Sequence, residues 1–167
     1  MTNVKIAGVV RHSSVNGPGV RLVIFFQGCP HGCPGCQNPE TWDIEGGEER
    51  TLESLIGEMK NTRYLDGVTF SGGDPLMQPE ALRALAEAAK TMGLTVWCYT
   101  GWKFEEILSG AAGGEAQKAL ESIDVLVDGS FRLEEKTDDA IYRGSRNQRL
   151  IDVPRSLADN TVRLASV

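Results

Sequence analysis

Apolar residues along this chain gather in short blocks separated by stretches of helical periodicity. Val20-Arg21-Leu22-Val23-Ile24-Phe25-Phe26 is nearly continuous and rich in branched and aromatic side chains, the pattern of a strand buried on both faces. Residues 67–70, 94–99 and 123–128 repeat that pattern, and residues 4–10 alternate more loosely, as a short strand does. Between the blocks, Leu52, Leu55, Ile56 and Met59 recur at helical spacing behind Thr51, which predicts an N-cap. Leu82, Leu85, Ala86 and Ala89 mark the face of a second helix, opened by Pro79 and ended by Gly93. A third helix is predicted from Phe104 to about Leu108, with a less regular continuation through Gly113-Gly114.

Four strands thus alternate with three helices, which indicates parallel strands joined by right-handed crossovers. In such folds chemistry collects at the carboxyl ends of the strands. The residues with chemical potential fall there: three cysteines after the first long strand, Ser71-Gly72-Gly73-Asp74-Pro75 after the second, Thr100 after the third and Asp128 after the fourth. A closed barrel of eight such units takes ~250 residues, and this chain has 167. The expected fold is α/β, a partial (open) parallel β/α barrel, with residues 1–167 forming one domain and no linker or repeat dividing it.

Composition changes this picture little. Hydrophobic residues make up 41%, enough for a core. With 17 basic and 23 acidic residues the formal net charge is −6, which argues against a nucleic-acid-binding surface. The N-terminal run Met1 to Ile6 lacks the basic and apolar regions of a leader, and the longest apolar run is too short to cross a bilayer. A cytoplasmic location without nucleic-acid or membrane partners is the expectation, and in that reducing compartment clustered cysteines read as metal or redox groups. The acidic stretch at 45–49 reads as a solvated loop. Arg143, Arg146 and Arg149 form a local basic patch, read here as a docking segment in preference to a cap on the fold.

The cysteines carry the strongest signal. Cys29, Cys33 and Cys36 stand in a C-x3-C-x2-C loop immediately after a buried strand. Closed zinc sites and ordinary iron–sulfur clusters take four protein ligands, so three thiolates point to a cluster with one metal corner left open. In a [4Fe–4S] cube three irons would be held and the fourth left for a ligand's amine and carboxylate. The competing reading is a zinc ion completed by His31, His12 or Cys98, although the second ligand pair usual in zinc folds is absent. Cys98 lies in a β-rich block and reads as a buried small hydrophobe. Met59, Met77 and Met92 read as core or gap fillers, while Trp97 and Trp102 fit either the core or the site. Glycines at 72–73 let a ligand approach the backbone, because no Cβ intervenes.

C-x3-C-x2-C after one strand and Gly-Gly-Asp after the next together resemble the radical S-adenosylmethionine superfamily. Further segments, Asn16-Gly17-Pro18-Gly19-Val20-Arg21, Gly35-Cys36-Gln37-Asn38-Pro39-Glu40-Thr41-Trp42, Tyr99-Thr100-Gly101-Trp102, Val127-Asp128-Gly129-Ser130-Phe131 and Arg143-Gly144-Ser145-Arg146-Asn147-Gln148-Arg149, resemble the activating proteins of anaerobic ribonucleoside-triphosphate reductases. Two positions depart from the superfamily pattern: Gly35 stands where most members have an aromatic residue, and Asp74 where many have Glu.

The resemblance implies an oxidoreductase, a radical S-adenosylmethionine activating enzyme. Its Cys29, Cys33 and Cys36 hold a [4Fe–4S] cluster, and Gly35, Cys36, Gln37, Ser71, Gly72, Gly73, Asp74, Thr100 and Asp128 contribute to the S-adenosylmethionine site. It implies two partners, the catalytic subunit of the anaerobic reductase, on which a glycyl radical is generated, and a flavodoxin-like electron donor. The alternatives are an activase of another glycyl radical enzyme (the pyruvate formate-lyase type), a small-molecule enzyme of the superfamily, and a zinc-stabilised binding module.

Overall fold

The computed structural model describes residues 3–166; Met1, Thr2 and Val167, which belong to the N-terminal run and the single-domain reading above, lie outside them. In chain order the strands are β1 (Asn3–Ser13), β2 (Arg21–Phe26), β3 (Glu48–Thr51), β4 (Gly67–Gly72), β5 (Thr95–Tyr99), β6 (Val125–Asp128) and β7 (Arg149–Asp152). The helices are α1 (Leu52–Asn61), α2 (Pro79–Thr91), α3 (Phe104–Leu108), α4 (Gly114–Ala119) and α5 (Val153–Asp159). All strands join one sheet in the order β3-β1-β2-β4-β5-β6-β7. The four apolar blocks read as parallel strands are the parallel centre, β2, β4, β5 and β6. Antiparallel strands flank it, β1 and β3 on one side and β7 on the other, so the sheet stays open at both edges.

Alternation along each strand sorts the two faces. Leu22, Ile24, Phe26, Val68, Phe70, Val96, Cys98, Leu126 and Ile151 join one apolar core with residues from all five helices. The intervening positions face the other way. There Trp97, Val127 and Leu150 form a smaller cluster, packed against Tyr99 and Tyr142. Helices on one face and a thinly covered opposite face make the structure a partial β/α barrel.

Local signals behave as the chain pattern predicts. Thr51 caps α1 by accepting the Ser54 N–H at 3.1 Å. Pro79 opens α2, and Gly93 follows its end in the left-handed region at φ +77°. Cys98 is buried in the core, and Met59 and Met92 pack there too. Met77 does not: it is 41% exposed on the turn before α2.

Two elements escape the hydrophobic pattern. Glu48 and Glu49, expected in a solvated loop, lie in β3 and pair with Ile6 and Lys5 of β1. An edge strand needs only backbone pairing and tolerates charges, which also discourage further association. Arg149, assigned to a docking segment, starts β7 and binds Asp128 of β6 and Glu105 of α3. It caps the fold, because its guanidinium is the counter-charge of a buried carboxylate.

Candidate active site at the carboxyl rim

β2 delivers the chain to the rim and is followed by Gln27, which is 2% exposed. Its amide donates to the Glu40 and Asp43 carbonyls at 2.9 and 2.7 Å. Gly28 N–H donates to Thr41 O at 2.6 Å, and Cys29 N–H to Trp42 O at 3.2 Å. The segment after the cysteines is thereby pinned beside the strand that precedes them. Between these pins the loop bows outward, with Cys36 N–H closing a turn on Cys33 O at 3.1 Å. Cys29, Cys33 and Cys36 are free and half-buried, while Gly35 and Gln37 stand exposed on the outer side.

β4 ends against this loop. Gly73 N–H donates to Phe26 O at 2.9 Å and Asp74 N–H to Gly28 O at 2.8 Å. Gly72 has φ +101°, and a Cβ there would meet the Phe26 backbone nitrogen and oxygen at 2.5 Å. The glycine pair is thus demanded by the chain's own backbone passing alongside. Ser71, next to it, is half-buried and registers with Phe25 of β2.

Asp74 is fully buried and hydrogen-bonded on both oxygens. Oδ1 accepts Leu76 N–H at 3.0 Å, and Oδ2 accepts Gly101 N–H at 3.0 Å. The Thr100 hydroxyl lies 2.9–3.0 Å from both. His31 Nε2 completes the set at 2.6 Å from Oδ2. The rim therefore brings Cys29, His31, Asp74 and Thr100 into one network. Asp128 belongs to a separate one: it is 1% exposed, accepts Phe104 N–H at 2.8 Å and pairs with Arg149 at 2.5 Å. Beside it lies a hollow of about 210 Å³ rimmed by Lys103, Arg132 and Asn147. Trp102 stands at the rim, its ring edge-on to His31 at 5.2 Å, whereas Trp97 belongs to the smaller cluster on the face opposite the helices. A groove of about 760 Å³ between Arg11 and Tyr64 lies at the amino end of the strands and contains none of the rim residues.

The donor set fits an iron–sulfur cluster. Three soft thiols share one loop, held at its base and bare on its outer side. Among the described residues no three His, Cys, Asp or Glu side chains already surround a single point, as ligands of one metal ion would. Thiols on three corners of a cube stand farther apart than that. Burial pushes the Cys29 thiol up to about 11, opposed by a backbone hydrogen bond from His31 and reinforced by Asp74 and the neighbouring cysteines; a metal ion bound there would displace the proton. Trp42 Nε1 is the one buried side-chain donor without a partner among the described residues, and it sits in the segment that clamps the loop. The residues weighed as a fourth zinc ligand are engaged elsewhere. His12 bonds the Arg63 carbonyl at the far end of the sheet, Cys98 is buried in β5, and His31 Nε2 faces Asp74.

Sequence reasoning passed over Gln27 and Thr41 and left His31 undecided. The only signal for Gln27 was an amide just after the apolar run Leu22–Phe26. Gly35, where most members of the superfamily have an aromatic residue, faces Leu133: a Cβ there would meet Leu133 Cδ1 at 2.8 Å.

Comparison with known proteins agrees with this geometry. Residues 15–151 match the 4Fe-4S single cluster domain family. The anaerobic ribonucleoside-triphosphate reductase-activating protein of Escherichia coli strain K12 is 37% identical over 142 residues, 80% of this chain and 89% of that protein. The pyruvate formate-lyase-activating enzyme of Clostridium pasteurianum is 46% identical over 85 residues, 48% of this chain and 36% of that one. The crystal structure of QueE from Escherichia coli superposes with a TM-score of 0.50 at 17% identity, covering 95% of this chain and 92% of that one, a likeness of fold. No helix among the described residues is long and apolar enough to cross a membrane. With a matching cluster domain over most of its length and a relative aligned nearly end to end, the chain belongs to the 4Fe-4S single-cluster family and, within it, to the anaerobic ribonucleoside-triphosphate reductase-activating proteins.

Proposed function

We propose that this chain, acting as one domain in the cytoplasm, activates an anaerobic ribonucleoside-triphosphate reductase by generating a glycyl radical on its catalytic subunit. The observation that carries the reading is the loop of three half-buried thiols at the carboxyl rim of an open parallel sheet, in a chain of this family. A [4Fe–4S] cluster with S-adenosylmethionine, when bound, supplies one-electron cleavage of a sulfonium and so a carbon radical able to abstract hydrogen.

The chain's own residues supply position. Cys29, Cys33 and Cys36 would hold the cluster, three thiolates for four irons, so that one iron would remain for the methionyl amine and carboxylate. Gln27, through the Glu40 and Asp43 carbonyls, holds the base of that loop. The Gly72-Gly73 backbone, with Ser71, Asp74 and Thr100, forms the inner wall against which the methionyl end rests. Gly35 and Gln37 border the cofactor from the loop side, and Asp128 shapes the wall at β6 through its hold on the Phe104 N–H. The face opposite the helices, where Trp97, Tyr99 and Val127 cluster, would exclude water on the side from which a partner's glycine enters. Reacting atoms must come within ~3–3.5 Å before transfer, and an open sheet edge gives a large partner that access. A flavodoxin-like protein delivers the electron from the exposed side of the loop at Gly32, Pro34 and Gly35. Four free cysteines suit a reducing compartment.

The deciding experiment mixes the anaerobically reconstituted protein with the reductase catalytic subunit, S-adenosylmethionine and a reductant, and follows electron paramagnetic resonance. A glycyl doublet is the expected result. A competent cluster that gives no doublet overturns the reading. The match to a pyruvate formate-lyase-activating enzyme supports a second reading, in which the doublet forms on pyruvate formate-lyase instead. Stoichiometric zinc with no iron uptake would reject both.

A further inference from the structure

His31 is the one titratable side chain among residues 30–35 apart from Cys33, and its surroundings fix it closely. Nε2 lies 2.6 Å from Asp74 Oδ2. The carboxylate only accepts, so Nε2 carries the hydrogen and donates. The ring stands edge-on to Trp102 at 5.2 Å and 74°. It occupies the space that a Cβ at Gly101 would need. Among the described residues, this is the only side-chain hydrogen bond made by residues 30–35; the other ties at the ends of the loop are local, with Cys29 N–H bound to Trp42 O before them and Cys36 N–H turning back on Cys33 O after them. Asp74 is itself immobile, buried and held by Leu76, Thr100 and Gly101.

We infer that His31 is a positioning residue for the cluster loop, anchoring Cys29 and Cys33 through the Nε2–H···Asp74 hydrogen bond to the ends of β4 and β5. The inference rests on the reading of the three thiols as a cluster site. It gives Asp74 a task before any cofactor arrives: the carboxylate after the glycine pair is the post to which the loop is moored. His31 would thereby set the tilt of the loop, and of any cluster held by it, relative to the Gly72-Gly73 wall. Without that anchor the loop retains its ligands but samples several tilts, and a ligand bridging the open corner and the wall loses affinity.

The test compares wild type with His31→Phe and His31→Gln after anaerobic reconstitution. His31→Phe keeps a ring against Trp102 and Gly101 but has no donor. His31→Gln restores an N–H at similar reach. Iron and sulfide are counted, and the reduced cluster is titrated with S-adenosylmethionine while its electron paramagnetic resonance spectrum is followed. His31→Phe should need about tenfold more S-adenosylmethionine for half of the spectral change, the scale of one hydrogen bond to a charged group, and His31→Gln should return to within about threefold of wild type. Failure of His31→Phe to load iron while His31→Gln loads fully supports the anchor equally. A His31→Phe titration that matches wild type overturns it, as does a His31→Gln protein impaired as much as His31→Phe in loading or titration. The outcome is independent of the partner. A wild-type protein that loads its cluster and responds to S-adenosylmethionine, yet makes no glycyl radical on the reductase, sinks the proposed function and leaves this inference standing.

Discussion

Arg21 shows how much a single side chain organises here. Its guanidinium is fully buried and sends five N–H donors to five neutral oxygens. These are Thr69 Oγ1, Pro18 O, Thr95 Oγ1, Val68 O and Thr95 O, at 2.8–3.1 Å. The charge also lies 5.7 Å from the Trp97 ring centroid. Burial pulls its pKa down to about 10, so it remains a cation at neutral pH. Only the planar fork of arginine reaches five acceptors at once. Replacing Arg21 by Lys should therefore cost about 2–4 kcal/mol, seen as a lower urea midpoint with an unchanged slope. An unaltered midpoint would mean that lysine or water satisfies those oxygens. The run Asn16 to Arg21 owes its composition to this cation: Pro18 supplies an acceptor, and a Cβ at Gly17 would collide with the guanidinium arm. The three cysteines were legible because ligand chemistry is written in their spacing. Arg21 and His31 were not, because all their partners but Pro18 lie 43 to 74 residues away.

Elements meet most tightly where β4 runs beside the start of the cysteine loop. At Gly72 both the left-handed backbone and the Phe26 main chain exclude a side chain. Gly72→Ala should destabilise the fold by about 2 kcal/mol or more. Gly93→Ala, with the same sign of φ but open space around it, should cost about 1 kcal/mol. Equal midpoints for the two variants in thermal unfolding would refute the backbone clash. The cap at Thr51 is a milder case: Thr51→Ala should lose about 1 kcal/mol, read from the same measurement. Parallel strands and the first two helices were legible because burial on two faces and 3.6-residue periodicity leave strong patterns. β3 and β7 were hidden, being four residues each and edge strands whose pairing is carried by backbone groups common to every residue.

Across the whole molecule, charge ties the last edge strand to the sheet. Arg149 joins β7, β6 and α3 by binding Asp128 and Glu105 together. The guanidinium holds the Glu105 carboxyl below its ordinary value of 4.5, and both carboxylates push the arginine's own affinity for its proton up. A depressed carboxyl contributes stability that is complete above about 4.5 and is lost as the pH falls through the lowered value. Wild type should thus lose stability on acidification below about pH 4.5, and Arg149→Leu should show a shallower acid limb from a lower starting point. At neutral pH that variant should be about 3 kcal/mol less stable, because Asp128 is left buried without its counter-charge. An Arg149→Leu protein as stable as wild type would return this residue to the role of a docking group.

From the order of its residues alone, the chain determined the alternation of strand and helix, the rim where chemistry gathers, the three thiols and the family. Each of these rests on local composition or spacing, which a linear text preserves. The folded molecule decided what those residues do for one another. It showed that Gly72 yields to the chain's own backbone, that Asp74 holds Thr100 and His31, and that Arg149 ties an edge strand to the sheet. Such contacts depend on distance in space between groups remote along the chain, and burial makes each of them count by removing the water that would otherwise satisfy the same polar atoms.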